Sequence, residues 1–102
     1  VHQNLHDRLA AGRDDPHVIC NAEAVRQVME GSGRRIIVLQ GHNHAGGRQD
    51  LNGIVYLTLR AMCEGPGLAN NAFAILDTDS DGSADLIGFG SQTDETIRFP
   101  TR

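Results

Sequence analysis

The residues best suited to chemistry sit close together in Gly41-His42-Asn43-His44. Two imidazoles at i and i+2 on a loop can face adjacent positions, and neutral imidazole suits borderline metals such as Zn, Mn and Fe. The glycines at 41, 46 and 47 let the backbone turn sharply and approach closely. A lone H-x-H pair fits two solvent-facing loop histidines equally well, so its setting has to decide. A second cluster, Asp77-Thr78-Asp79-Ser80-Asp81-Gly82, places oxygen ligands at positions 1, 3 and 5 and glycine at 6, as an EF-hand-like calcium loop begins. Asp85 falls at position 9, but position 12 is Gly88 rather than a bidentate Glu, and both flanks read as strands. A polar β-turn is the simpler reading, with Asp77, Asp79 and Asp81 as calcium ligands the alternative. Arg60 is planar, permanently charged and able to reach a phosphate, or else an ordinary arginine at a strand end. Taken alone, His2 reads as an exposed residue near a frayed terminus, and His6 and His17 as surface residues.

The elements that must position these groups follow from local pattern. Residues 1 to 20 are polar and irregular, with a break at Asp14-Asp15-Pro16. A helix is expected from Asn21 as its cap, with Glu23 in the first turn and Val25, Val28 and Met29 on its core face. Gly31-Ser32-Gly33 ends it. Ile36-Ile37-Val38-Leu39 reads as a strand buried on both faces, so the histidine loop leaves the C-terminal end of a buried strand, where α/β proteins place their sites. Asn52-Gly53 predicts a hairpin turn into a strand from Ile54 to Leu59. Two further strands, Phe73 to Leu76 and Leu86 to Phe89, flank the turn Asp77 to Ser83, and the tail from Ser91 looks loosely held. One main helix followed by mostly hairpin-linked strands makes one α/β unit of the α+β kind.

Composition bounds the function. With 102 residues there is room for one small domain, burying only ~65% of its unfolded surface. Four aromatic and twelve glycine residues leave a thin core of Val, Ile, Leu and Ala. No apolar run approaches the ~20 residues needed to span a bilayer, and the start lacks the pattern of a signal peptide. Thirteen acidic residues against nine arginines, with no lysine and no basic cluster beyond Arg34-Arg35, argue against a nucleic-acid platform. Cys20 and Cys63, far apart and without a C-x-x-C pattern, are expected to be a reduced, buried pair, which points to a cytoplasmic setting.

Gly41-His42-Asn43-His44 resembles the G-H-x-H signature that closes the active site of calcineurin-like metallophosphoesterases. Val1-His2-Gln3-Asn4 resembles the preceding single-histidine motif, in the H-Q-N form found in the superfamily's double-strand-break repair nucleases. The helix from Asn21, the stretch Gly53 to Glu64, Asn71-Ala72-Phe73 and Gly88-Phe89-Gly90 are similar to the C-terminal half of manganese-dependent ADP-ribose/CDP-alcohol diphosphatases, which usually have proline where this chain has Asn4. The resemblance covers residues 1 to 92. It implies the C-terminal half of a four-layer α/β/β/α sandwich, with 93 to 102 as a tail. It also implies a dinuclear phosphohydrolase in which two divalent cations, manganese first and iron or zinc as alternatives, present a hydroxide that cleaves a P–O bond. On the matching motifs, His2 and His44 are metal ligands, and His42 binds the other metal or stands beside it as the catalytic histidine. Asn43, Arg60 and Glu64 become candidate contacts to a substrate that would be a phosphorylated small molecule or nucleotide.

The family's upstream D-x-H, G-D and G-N-H blocks, which supply its aspartates and asparagine, do not occur here, and there is no initiating Met. The chain is therefore expected to be part of a longer enzyme and inactive by itself. Two close cations repel each other unless anionic ligands lie between them, so three histidines alone should bind metal weakly. A half-fold of this kind leaves a core strand edge unpaired, and self-association through that edge is expected. Two rival readings remain: a calcium-stabilised binding module built on Asp77 to Asp85, and a remnant that keeps the half-fold without catalysis.

Overall fold

The structure, a computed structural model, describes residues 1–6 and 18–99. The expected break at Asp14-Asp15-Pro16 and His17 lie outside the described residues. The chain begins alongside the first strand: the Val1 ammonium donates to the Leu39 carbonyl at 2.9 Å, and the Gly41 N–H donates to the His2 carbonyl at 2.9 Å. Asn4 makes a parallel bridge to Val18, and Leu5 is buried. This first segment is thus part of the packed body rather than a frayed end, and His6, expected at the surface, is half-buried with its ring 5.4 Å from that of Tyr56.

Helix α1 spans Ala22–Gly31. Asn21 occupies the N-cap position without a side-chain capping bond, and at the other end the Ser32 hydroxyl donates to the Met29 carbonyl at 2.6 Å. Ala22, Val25 and Met29 pack inward, but Val28, expected in the core, is 75% exposed. At about 100° per residue, Val28 lies about 90° around the helix from the centre of the Ala22–Val25–Met29 stripe.

Strands β1 (Ile36–Gln40), β2 (Gly47–Leu51) and β3 (Ile54–Thr58) form one sheet in the order β1-β3-β2. β1 pairs with β3 in parallel and β2 with β3 antiparallel. The β2–β3 turn is the expected one: Asn52 (φ 52°) and Gly53 (φ 81°) both take the left-handed conformation that a two-residue hairpin of this hand requires. β2 itself, Gly-Arg-Gln-Asp-Leu, has no apolar run to announce it and is recruited by the turn and by β3. Burial on both faces falls on β3, which is central, whereas β1 is an edge strand with Leu39 exposed.

The second sheet runs β4 (Ala72–Thr78), β5 (Ala84–Gly90), β6 (Glu95–Ile97), all antiparallel. β6 corrects the loose-tail expectation: Ile97 is fully buried, and its partners are the mostly buried Ala84–Leu86 stretch of β5. A three-residue strand bounded by Asp and Arg carries too little local pattern to be seen before its partner is known.

The two sheets and the helix stack as three layers. On the helix side of β3, Ile54 and Tyr56 join Leu5, Ala22 and Val38; on the other side, Val55 and Leu57 join Ala84, Leu86 and Ile97. Period-two alternation along β3 feeds both interfaces. Arg48 of β2 donates to the Thr96 carbonyl of β6 at 2.8 Å and pairs with Asp50, which raises its already high pKa and keeps the guanidinium charged across the sheet-to-sheet junction. Phe73, Ile75, Ile87 and Phe89 stand on the outer face of the β4–β5 hairpin and are exposed, the two phenylalanine rings stacked at 4.9 Å. None of the described helices is long and apolar enough to cross a membrane.

The β4–β5 turn closes as a hairpin. The Asp79 N–H donates to Ser83, and the Asp81 carboxylate accepts both the N–H and the hydroxyl of Ser83. Those Ser83 bonds hold the Asp81 carboxyl below the usual carboxylate range. Its contribution to the turn is present above the ordinary carboxylate pKa and is lost as pH falls through the lowered one. Ser83→Ala is expected to return the Asp81 titration upward toward the ordinary value, read by carboxyl-carbon NMR; an unchanged titration would show that Ser83 is not the cause.

Candidate functional site

β1 delivers the histidine loop at its C-terminal end, and the N-terminal segment brings His2 beside it. His42 takes a left-handed backbone (φ 64°), uncommon for a residue with a side chain. Its Nδ1 lies 3.3 Å from Nε2 of His2, with the rings edge to face at a centroid distance of 5.2 Å. Two nitrogens ligating one cation side by side at about 2.1 Å each are separated by roughly 3.0–3.4 Å, so the pair is already spaced for a shared ion. Gly46 bears a tighter constraint than Gly41. Its φ is 71°, and a Cβ there would come within 2.9 Å of the Thr58 carbonyl and 2.8 Å of the Arg60 side chain.

His44, two residues on, turns away from that pair. Its Nδ1 contacts Glu64 Oε1 at 2.6 Å, and the Ala61 N–H donates to its backbone carbonyl at 3.2 Å, binding the two loops together. The i, i+2 imidazoles therefore do not face the same point. All three histidines still line one cleft of about 690 Å³, together with Arg60, Ala61, Met62, Phe73 and Gln92. Among the described residues, none lining this cleft carries a carboxylate.

The other expected residues divide. Arg60 lines the cleft, exposed, with its N–H donating to Gln92 Oε1 at 2.8 Å. Glu64 is exposed and engaged with His44 rather than set apart for a substrate. Asn43 is 6% exposed and does not line the cleft, and its side-chain oxygen accepts the Ala45 N–H within the loop. Among the described residues, Asp77, Asp79 and Asp81 do not converge as a ligand group, because Asp79 and Asp81 are turned onto neighbouring N–H groups of the turn. Cys20 and Cys63, expected as a buried pair, are both exposed and free, Cys63 because its loop, Met62 to Gly67, stands in solvent.

Two polar residues of consequence were missed. Gln40, buried at the end of β1, accepts the Leu5 N–H at 3.0 Å and donates to Thr58 Oγ1 at 3.0 Å and to the His6 carbonyl. It ties Leu5 and His6 to the sheet, beside the backbone bonds that hold Val1 and His2. Gln92 fixes the Arg60 backbone at the cleft. Neither announces itself locally; a glutamine closing an apolar β-strand was the one available signal, for Gln40.

No protein-family model matches the chain, and no curated protein matches it. Among solved structures, a dimetal phosphatase from Danio rerio superposes with a TM-score of 0.72 at 28% sequence identity, over 97% of this chain and 30% of that one. The chain thus spans about 30% of the length of the phosphatase it matches. Among the described residues, one α-helix and two small sheets, with the histidine loop at the end of β1, give this chain the fold of a fragment of a metallophosphoesterase.

Proposed function

We propose that this chain supplies the histidine side of a two-metal phosphohydrolase site, acting on a phosphoester or a nucleotide diphosphate. The observation that carries the reading is the 3.3 Å contact between His2 Nε2 and His42 Nδ1 at the cleft. His2 and His42 would hold one cation, and His44 would serve from the far side of the same loop. Divalent cations bound there would supply Lewis acidity toward a phosphoryl group and a nucleophile from water at neutral pH. Arg60, at the cleft wall, would bind and orient a phosphate oxygen as a fixed positive charge. The donor set fits one cation. A second, close by, needs anionic ligands that no described residue lining the cleft provides, so the described donor set by itself should bind metal weakly and should not turn over substrate unaided.

Manganese is the first ion to try, and its binding can be read by water-proton relaxation. His42→Ala should weaken Mn2+ binding about tenfold or more, equivalent to ~1.4 kcal/mol. Equal relaxation titrations for the parent chain and the variant would remove the His2–His42 pair from any metal role.

A further inference from the structure

We propose that His44, Cys63 and Glu64 form a site, apart from the His2–His42 pair, for a single thiophilic divalent cation, with Zn2+ the best-matched ion. One donor atom from each, an imidazole nitrogen, a thiol sulfur and a carboxylate oxygen, lie within 4.8 Å of one another, and this is the one such convergence of three or more His, Cys, Asp or Glu among the described residues. Donors around a tetrahedral zinc stand roughly 3.3–3.8 Å apart, so the set needs small side-chain rotations and no backbone movement.

The backbone that holds these donors is fixed at several points. His44 comes from the loop after β1, and Cys63 and Glu64 are adjacent on the loop after β3. The Ala61 N–H bond to the His44 carbonyl joins the two loops, and the Asn70 side chain donates to the Pro66 carbonyl at 2.7 Å, pinning the second loop from its other end. All three residues are exposed, which leaves a fourth position for water or an incoming group.

The donor chemistry sets the preference. A thiolate and a carboxylate bring two negative charges to the ion, where the His2–His42 pair brings none. Sulfur favours zinc and cobalt over the hard ions manganese, magnesium and calcium. The site shares His44 with the phosphohydrolase reading but uses neither His2 nor His42, so it stands even if that pair binds nothing.

Cobalt(II) is the probe, because a cobalt–thiolate bond gives a near-ultraviolet charge-transfer absorption that nitrogen and oxygen ligands do not. The 102-residue chain carrying Cys20→Ser, kept reduced under nitrogen, leaves Cys63 as its single thiol. Titration should give this band with one equivalent of Co2+, and Zn2+ should displace it. Adding Cys63→Ser should abolish the band while leaving Mn2+ relaxation unchanged, and Glu64→Gln should weaken Co2+ binding about tenfold. His2→Ala/His42→Ala should leave the band intact. Absence of the band in the Cys20→Ser chain, its survival in Cys63→Ser, indifference to Glu64→Gln, or its loss in the His2/His42 variant would each overturn the assignment. Cys63 is exposed, so its replacement by serine does not threaten the fold.

Discussion

Gln40→Leu is expected to destabilise the chain by about 2–5 kcal/mol and to release the segment that bears His2. The Gln40 amide satisfies the buried Leu5 N–H, and it also bonds the His6 carbonyl and the Thr58 hydroxyl. Leucine fills a similar volume but leaves those groups without their partner, and a buried unsatisfied polar group costs about 1–3 kcal/mol. The damage is directional. Residues 1–6 lose the Leu5 and His6 bonds to Gln40 and keep the backbone bonds of Val1 to Leu39, His2 to Gly41 and Asn4 to Ile19. Amide exchange should therefore speed up first at Leu5, and the His2–His42 proximity should disappear from ring-proton NOEs. Mn2+ affinity should fall as far as it does for His42→Ala, although Gln40 ligates nothing. Native exchange at Leu5 with a normal His2–His42 contact would show that the segment is held by other means, such as its bridge from Asn4 to Val18.

Gly88→Ala should be the most damaging exchange of a glycine. Gly88 lies in β5 where the 91–94 loop folds back across the strand, and its N–H donates to Asp94 Oδ1 at 2.7 Å. A Cβ at this position would sit 2.1 Å from the Gln92 carbonyl oxygen and 2.9 Å from that of Thr93. Both obstacles are backbone, so no rotamer change relieves them. The loop must move, and β6 with the buried Ile97 moves with it. The expected loss is about 3 kcal/mol, a fall in Tm of more than about 10 °C for a domain this size. Gly31→Ala is the matched control, since a Cβ there meets nothing within 4 Å and alanine suits the last helical turn. If the two variants melt together, the loop is not packed on β5 as described. The Gly88 variant should also disturb the cleft, because Gln92 holds the Arg60 backbone.

Much of the scaffold was legible in the order of residues because its signals are local. Asn52-Gly53 dictates a hairpin by its backbone preferences alone, and Asp77 to Ser83 dictates another between two apolar runs. The same locality explains the errors. Val28 satisfies helical spacing but lies on the flank of the stripe, and that is decided by which side of α1 meets β3. Residues 95–97 carry almost no β signal and become a strand because β5 offers an open edge. Cys63 was read by its residue type, which favours burial, when its neighbours Glu64-Gly65-Pro66-Gly67 already described an exposed loop.

For the site, the residue order alone determined that a G-H-x-H loop follows an apolar strand and that imidazole is the chemistry on offer. Which histidines act together was decided only by the tertiary structure. His42 turns toward His2, some forty residues earlier, and His44 toward Glu64, twenty residues later. Spacing along a chain constrains directions only inside a regular helix or strand, where each residue repeats the same dihedral angles. At His42 the backbone is left-handed, so the i, i+2 relation carries no fixed angle, and the choice of partner passes to the contacts that hold residues 1–6 and the loop after β3 in place.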